Sequence, residues 1–371
     1  MNFDFSDDQK VIREEARKLL AAQCDRHRVR ALLDEGASYD AGLWRIMGEN
    51  GWLGTAIDEA HGGLGLGRLT LCVIAEELGR ALAPVPVAPS LYLASEAIQL
   101  SGDDEARAEL LPALASGAAI GTLALTEGLQ AQRRLDGLEC RVHNGRLSGS
   151  KLPVPGGQIA DFAIVVAQAD DGRPGLFHVP LQAEGVTVEA LHSIDEGQPL
   201  ARIRFDDVPA RMIAGDAGPL VGRLLDRAAV YLAFEQIGGA EEALAISCEY
   251  ARVRKAFGRP IGSYQGIKHK LADMYTRIEL ARSNAFFAAW ALENDAAELP
   301  LAASAARLAA NDAFAFAAKE CIQTHGGIGA TWEGDPHLFY RRARALGSLL
   351  DSTYSWRDRL VDELEALIGA E

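Results

Sequence analysis

Hydrophobic and polar positions divide the chain into three textures. From Asp7 to about Gly121 apolar residues recur at helical spacing: Val11, Ala16, Leu19 and Leu20 line one face of a first helix that Ser6 or Asp7 can cap. Breakers at Gly62–Gly63, Pro84–Pro86 and Gly102–Asp103 cut this part into several helices. From Gly121 to about Gly218 the pattern changes to short β-rich runs (FAIVVA, GLFHV, VTVEAL, ARIRF) separated by Gly, Pro and Asp turns. From Pro219 onward helical spacing returns, with Ile267, Leu271, Met274 and Ile278 on one stripe of a long helix. The expected class is α+β, with helices over 1–120, strands over 121–218 and helices again over 219–371. Strands segregated in the middle exclude a doubly wound parallel sheet. GGLGLG at Gly62–Gly67 is therefore read as a plain loop, because no strand precedes it to make a dinucleotide fingerprint.

Composition narrows the function classes. A chain of 371 residues with 49% hydrophobic and 24% charged residues suits two or three packed units and excludes wholesale disorder. A net charge of -15 argues against nucleic acid or an anionic membrane surface as partner, although local Arg and Lys can still hold a phosphorylated ligand. The five cysteines are scattered and form no CxxC pair, so free thiols in a reducing compartment are expected rather than disulfides or a metal site. The start MNFDFSDDQK lacks a basic and then apolar leader, and no apolar run reaches bilayer length, so a cytoplasmic protein is expected.

Two motifs carry chemistry. YARVRKAFGRPIGSYQ from Tyr250 to Gln265 and QTHGGIG from Gln323 to Gly329 resemble two C-terminal signatures of the acyl-CoA dehydrogenase family. LWRIMGENGWLG, EELGRALAP, LLPALASG, LALTE and FDDVPARMIAG follow in that family's order, so the resemblance spans essentially the whole chain. It implies a helical domain, a central antiparallel β domain and a C-terminal four-helix bundle, with FAD as cofactor and an acyl-CoA thioester as substrate. On that resemblance Arg254 offers a bidentate, permanently charged donor to the FAD pyrophosphate of a neighbouring subunit. Phe257 packs beside it, Gln265 reaches the adenosine end, and Gln323 with the side-chain-free Gly326 and Gly327 approaches phosphate. Leu125 and Thr126 match the strand along the flavin ring, and Val154 and Pro155 occupy the place of the segment that covers it. Each feature also has a plain reading: a solvated arginine at a helix end, a glycine C-cap, a proline-bearing edge strand.

The chain departs from the family where the reaction needs most. The segment after Thr126–Glu127 reads Gly128-Leu-Gln-Ala-Gln-Arg-Arg instead of a small-residue anion loop; Arg133 and Arg134 are either electrostatic substitutes or solvated charges. Family chemistry removes the α-proton with a carboxylate while the β-hydride passes to the flavin. The common position for that base falls on Leu350 and the alternative one on Ala228 or Ala229. Glu235, two helical turns beyond the alternative position and flanked by Val230, Leu232, Phe234 and Ile237, is the first candidate substitute. Asp351, one residue off, is the second, and Asp226 beside Arg227 the third; no base at all is the remaining option. Asp335 and His337 are expected to be structural.

The resemblance leads to three readings. The first is an FAD-dependent acyl-CoA dehydrogenase, alone or as half of a homo- or hetero-oligomer, handing electrons to an electron-transfer flavoprotein or similar acceptor. The second is a non-catalytic subunit that completes a partner's FAD site. The third is a flavin oxidase or monooxygenase on the same scaffold.

Overall fold

A computed structural model gives the structure of the chain; residues 5–128, 135 and 137–369 are described. Arg133 and Arg134 lie outside the described residues. The chain forms two compact units. One comprises residues 1–31, 69–83 and 229–371, and the other residues 32–68 and 84–228.

The second unit contains α3 (Ala41–Glu49), a π-helical turn (Ala88–Ser95) running into α5 (Glu96–Ser101), α6 (Asp104–Ser116), and the eight longer strands. The strands are β1 (Gly121–Ala124), β2 (Arg141–His143), β3 (Arg146–Pro155), β4 (Phe162–Gln168), β5 (Pro174–Pro180), β6 (Val186–Leu191), β7 (Leu200–Pro209) and β8 (Arg211–Ala214). They lie in the order β6-β7-β3-β2-β4-β5-β8, with β1 on β4. Pairing is antiparallel except where β1 and β2 run parallel to β4. FAIVVA forms β4, and every apolar side chain in it is buried. A strand covered on both faces reads as a continuous apolar run instead of an alternating one. The Gly62–Gly67 stretch is a loop, as expected: Gly62 has φ +77, and a Cβ on Gly63 would stand 2.0 Å from the carbonyl oxygen of Ile57.

The first unit contains α1 (Asp7–Gln23), nearly all of α4 (Arg68–Ala81), most of α7 (Ala217–Val253), α8 (Gln265–Glu293), α9 (Leu299–His325), α10 (Pro336–Ser348) and α11 (Thr353–Gly369); α2 (Arg26–Asp34) begins there. Ser6 caps α1 through a reciprocal box with Gln9. The buried face of α8 begins at Met274 and Ile278 and continues through Ala281, Ala285, Ala288 and Leu292. On α9 the matching face is Ala303, Ala306, Ala310, Ala313 and Ala317. Both stripes step by three and four residues, the spacing that lets long helices lie nearly parallel, and alanine lets them approach closely. The first half of α8 is more open, with Tyr275 and Leu280 exposed.

Helices α4 and α7 cross at glycines. A Cβ on Gly79 would lie 1.8 Å from the carbonyl oxygen of Glu235, and one on Gly238 would lie 1.8 Å from that of Glu76. Carboxylates flank the crossing and are met by arginines: Arg17 pairs with the buried Glu77, and Arg80 and Arg282 both meet the half-buried Glu241. Arg282 also lies 3.1 Å from Glu76, whose carboxyl burial pushes above its ordinary range. Asp335 accepts from Arg26 at 2.8 Å and Arg30 at 2.5 Å, which is a structural role. No disulfide joins any of the five cysteines, and no described helix is long and apolar enough to cross a membrane.

Candidate functional site

The residues singled out in the sequence assemble as two sets, one in each unit. In the unit with the helical bundle, α7 ends at Val253 and the chain turns through a two-stranded hairpin, β9 (Lys255–Ala256) and β10 (Arg259–Pro260). Its turn residues Phe257 and Gly258 both have positive φ, the conformation that a tight two-residue hairpin demands. Phe257 is 98% exposed, although it is a large apolar ring. The Tyr264 hydroxyl donates to the Ala256 carbonyl at 3.0 Å, and Arg259 stacks over the Tyr264 ring, so the hairpin is pinned to the start of α8, where Gln265 stands exposed.

The Tyr250 ring stacks on His325 at 4.3 Å between centroids, which joins the last turns of α7 and α9. That stacking brings Arg254, Phe257 and Gln265 to the same end of the bundle as Gln323, Gly326 and Gly327. Arg254, Gln323, Gly326 and Gly327 are all exposed. Gly326 has φ 65 and ψ -142, a backbone that only glycine adopts readily, and a Cβ on either glycine would meet nothing within 4 Å. The side-chain faces of both glycines are therefore open, while the Gly326 N–H donates back to the Gln323 and Ile322 carbonyls. A guanidinium and an amide side chain at one end, beside a glycine backbone that a ligand can approach closely, form a set suited to a pyrophosphate, and an exposed ring beside them suits a flat ligand. These residues fit the FAD that the motifs imply.

In the other unit Leu125 and Thr126 continue from β1 and lie against β3. The Leu152 N–H donates to the Thr126 carbonyl at 2.8 Å, and the Thr126 hydroxyl donates to the Pro153 carbonyl at 3.1 Å. The Thr126 hydroxyl oxygen keeps lone-pair capacity to accept from a ligand, but its proton is used within the chain. Val154 is completely buried, backbone included, so it presents no open surface to a ligand. The Pro155 carbonyl accepts from the Thr122 hydroxyl at 2.5 Å. The structure thus brings Leu125, Thr126, Val154 and Pro155 together.

A residue the sequence reading passed over holds this segment. The fully buried ammonium of Lys151 donates to the Leu125 carbonyl at 3.0 Å and to Glu127 at 2.6 Å. Burial pulls the Lys151 ammonium below its ordinary value against the attraction of Glu127. Burial works to raise the Glu127 carboxyl, but Lys151 and the N–H groups of Glu139 and Cys140 outweigh it and hold the carboxyl low. A charged Lys in a β-rich run of small and apolar residues was the available signal.

The candidate bases sit in occupied surroundings. Glu235 is buried and has apolar neighbours along its helix, yet its carboxylate lies 3.7 Å from the equally buried Arg342 of α10. Nearby Arg307, pulled down to about 10 by complete burial, is held up in part by the charge of Glu235. The burial of Glu235 is thus accounted for by cations. Leu350, at the common base position, is buried. The Asp351 carboxylate accepts from the Ser352 N–H at 2.7 Å and the Ser355 hydroxyl at 2.8 Å, at the start of α11. Asp226 is buried, 2% exposed, and Arg227 beside it pairs with Glu96 at 2.8 Å. His337 stacks on Trp332 at 5.1 Å, a packing role.

Known proteins share this architecture. Sequence models of the acyl-CoA dehydrogenase N-terminal and C-terminal domains match residues 6–118 and 219–349. Acyl-CoA dehydrogenase IpdE2 of Mycobacterium tuberculosis is 34% identical over 361 residues, covering 96% of this chain and 98% of its own. Among solved structures, a variant of the Tcur3481–Tcur3483 steroid ACAD superposes with a TM-score of 0.89 at 34% identity, covering 98% of this chain and 99% of the other. The ChsE4–ChsE5 complex from Mycobacterium tuberculosis superposes with a TM-score of 0.88 at 26% identity, over 98% and 99% of the two chains. Matches to both helical domains and a 34% identical relative of nearly the same length lead to one conclusion: this chain belongs to the acyl-CoA dehydrogenase family, whose cofactor is FAD.

Proposed function

We propose that the chain is the clamp subunit of a heteromeric, FAD-dependent acyl-CoA dehydrogenase, completing FAD bound mainly by a partner of the same family. The observation that carries this reading is the outward projection of Arg254, Phe257, Gln265, Gln323, Gly326 and Gly327 from one end of the bundle. A ring as exposed as Phe257 has no packing role in its own chain. The occupied candidate bases support the same reading: Glu235 neutralises Arg342, Asp351 is held by Ser352 and Ser355, and Leu350 cannot take a proton.

Bound FAD supplies the acceptor for the hydride that leaves the β-carbon of the thioester. Arg254 would hold the pyrophosphate, Gln323 would add a donor, the Gly326–Gly327 backbone would allow close approach, and Phe257 would screen that end from water. The carboxylate that removes the α-proton belongs to the partner. Electrons leave to an electron-transfer flavoprotein or similar acceptor. Two structural relatives each carry the names of a pair of proteins, and one is called a steroid ACAD, so a steroid acyl-CoA is the substrate class to assay first.

The test is the visible spectrum of the chain purified alone and co-purified with a neighbouring family member. Colourless protein alone, flavin absorbance in the pair, and loss of flavin from a pair carrying Arg254→Gln are expected. A chain that retains FAD alone and bleaches on acyl-CoA addition would overturn the proposal in favour of independent catalysis.

A further inference from the structure

A pocket of about 360 Å³ opens in the unit that contains the sheet, and none of its described lining residues is among those assigned above to flavin. Four arginines from separate segments line it: Arg68 at the start of α4, Arg107 on α6, and Arg223 and Arg227 on the first turns of α7. His61 also lines it, and Asp58 is the single carboxylate among the described lining residues. On a chain of net charge -15, four guanidinium groups around one hollow outnumber the nearby carboxylates Asp58, Glu96 and Asp104 and leave a local excess of positive charge.

The arginines are held in place. Arg227, 7% exposed, donates to Glu96 at 2.8 Å, and Arg68 reaches the other oxygen of that carboxylate at 3.3 Å. Glu96 is buried behind them, so one negative charge fixes two positive groups. Arg107 donates to the Gln99 carbonyl at 2.6 Å and to Asp104 at 3.0 Å, while Arg223 stands exposed near the mouth. Groups already fixed lose little freedom when a ligand arrives. Leu100 and Leu111 are the only large apolar residues among the described lining, so a hydrophobic ligand finds little to cover. The volume lies at the lower end of the range for small-molecule sites.

We infer that this pocket binds a compact, multiply charged oxyanion of the phosphate or pyrophosphate kind, whose oxygens match guanidinium forks. The pocket shares no residue with the flavin clamp, and the inference stands whether or not the clamp reading holds. The experiment is calorimetric titration of the full chain with sodium phosphate and with sodium pyrophosphate, at ionic strength held constant with sodium chloride. Saturable binding is expected, weakened about tenfold or more in Arg107→Gln and in Arg223→Gln, each of which removes one charge-assisted donor. Arg173→Gln, at an exposed turn of the same unit, serves as control and keeps wild-type affinity. Arg223 is exposed, so its variant folds, which circular dichroism checks. Affinities unchanged in both pocket variants, or no saturable binding beyond the chloride control, would overturn the inference. So would binding lost in Arg254→Gln but intact in Arg107→Gln and Arg223→Gln, since that would place the anion in the flavin cradle.

Discussion

Replacing Glu235 by Gln separates its structural role from a catalytic one. The carboxylate stands 3.7 Å from Arg342, with both side chains nearly inaccessible. At an effective dielectric of about 20, opposite charges at this separation attract by about 4 kcal/mol. Arg342 also donates to the Leu82 carbonyl at 3.1 Å and the Ala83 carbonyl at 3.4 Å, so part of its need is met elsewhere. Removing one partner of a buried pair costs about 3–5 kcal/mol where nothing else compensates. With the carbonyls compensating in part, Glu235→Gln is expected to destabilise the chain by about 2–4 kcal/mol, and Arg342→Met by a similar amount. The double variant should recover most of the loss, giving a coupling energy of about 2 kcal/mol or more. Urea denaturation of the wild type, the two single variants and the double variant at neutral pH reads this cycle directly. A coupling near zero would refute the ion-pair argument. Wild-type stability in Glu235→Gln with dehydrogenation abolished in an active assembly would return Glu235 to the role of base.

Gly79→Ala should destabilise by about 3 kcal/mol or more, because the added Cβ meets the Glu235 carbonyl carbon and oxygen and neither helix backbone can yield locally; a thermal midpoint indistinguishable from wild type would contradict the crossing geometry. Burial pushes the thiols of Cys140 and Cys321 up to about 12, so native chain at mildly alkaline pH should leave both unmodified by a maleimide while unfolded chain reacts at all five cysteines; mass spectrometry after labelling reports each site. The folded Glu127 carboxyl is held below its ordinary 4.5, so its contribution to stability is complete above that value and is lost as pH falls through the folded value. Thermal midpoints should therefore drop on acidification below 4.5, and Glu127→Gln should flatten that drop. An identical acid limb in the variant would count against the Lys151 pair.

What could be read from the sequence was local or periodic. Ser6 and Gln9 announce a helix start within one turn, and FAIVVA announces a buried strand by composition alone. The alanine stripe of α9 was equally visible at three-and-four spacing and was not used. The two C-terminal motifs could be recognised because a hairpin with positive φ and an exposed glycine turn each need particular residues at fixed offsets. What escaped was the identity of distant partners. Asp226 and Arg227 look like a surface pair when adjacent residues are all one sees, yet Arg227 finds Glu96 from 131 positions away. Glu235 looks like an acid stranded among apolar residues until α10 brings Arg342 beside it. Lys151 could be seen as a charge in a strand, but only the return of the chain past Leu125 shows what it holds.

The glycine crossing of α4 and α7 also bears on how the molecule moves. Backbones in contact at Gly79 and Gly238, with ion-paired acids on either side, leave no room for water to enter between the helices without separating them. Amides from Glu76 to Arg80 and from Glu235 to Gly239 should thus exchange with solvent only when the whole unit opens. The hairpin carrying Phe257 is tied down by little more than Tyr264 and should exchange far sooner. The chain thus keeps a slow-opening backbone at the glycine crossing and a faster-opening one at the end proposed to hold FAD.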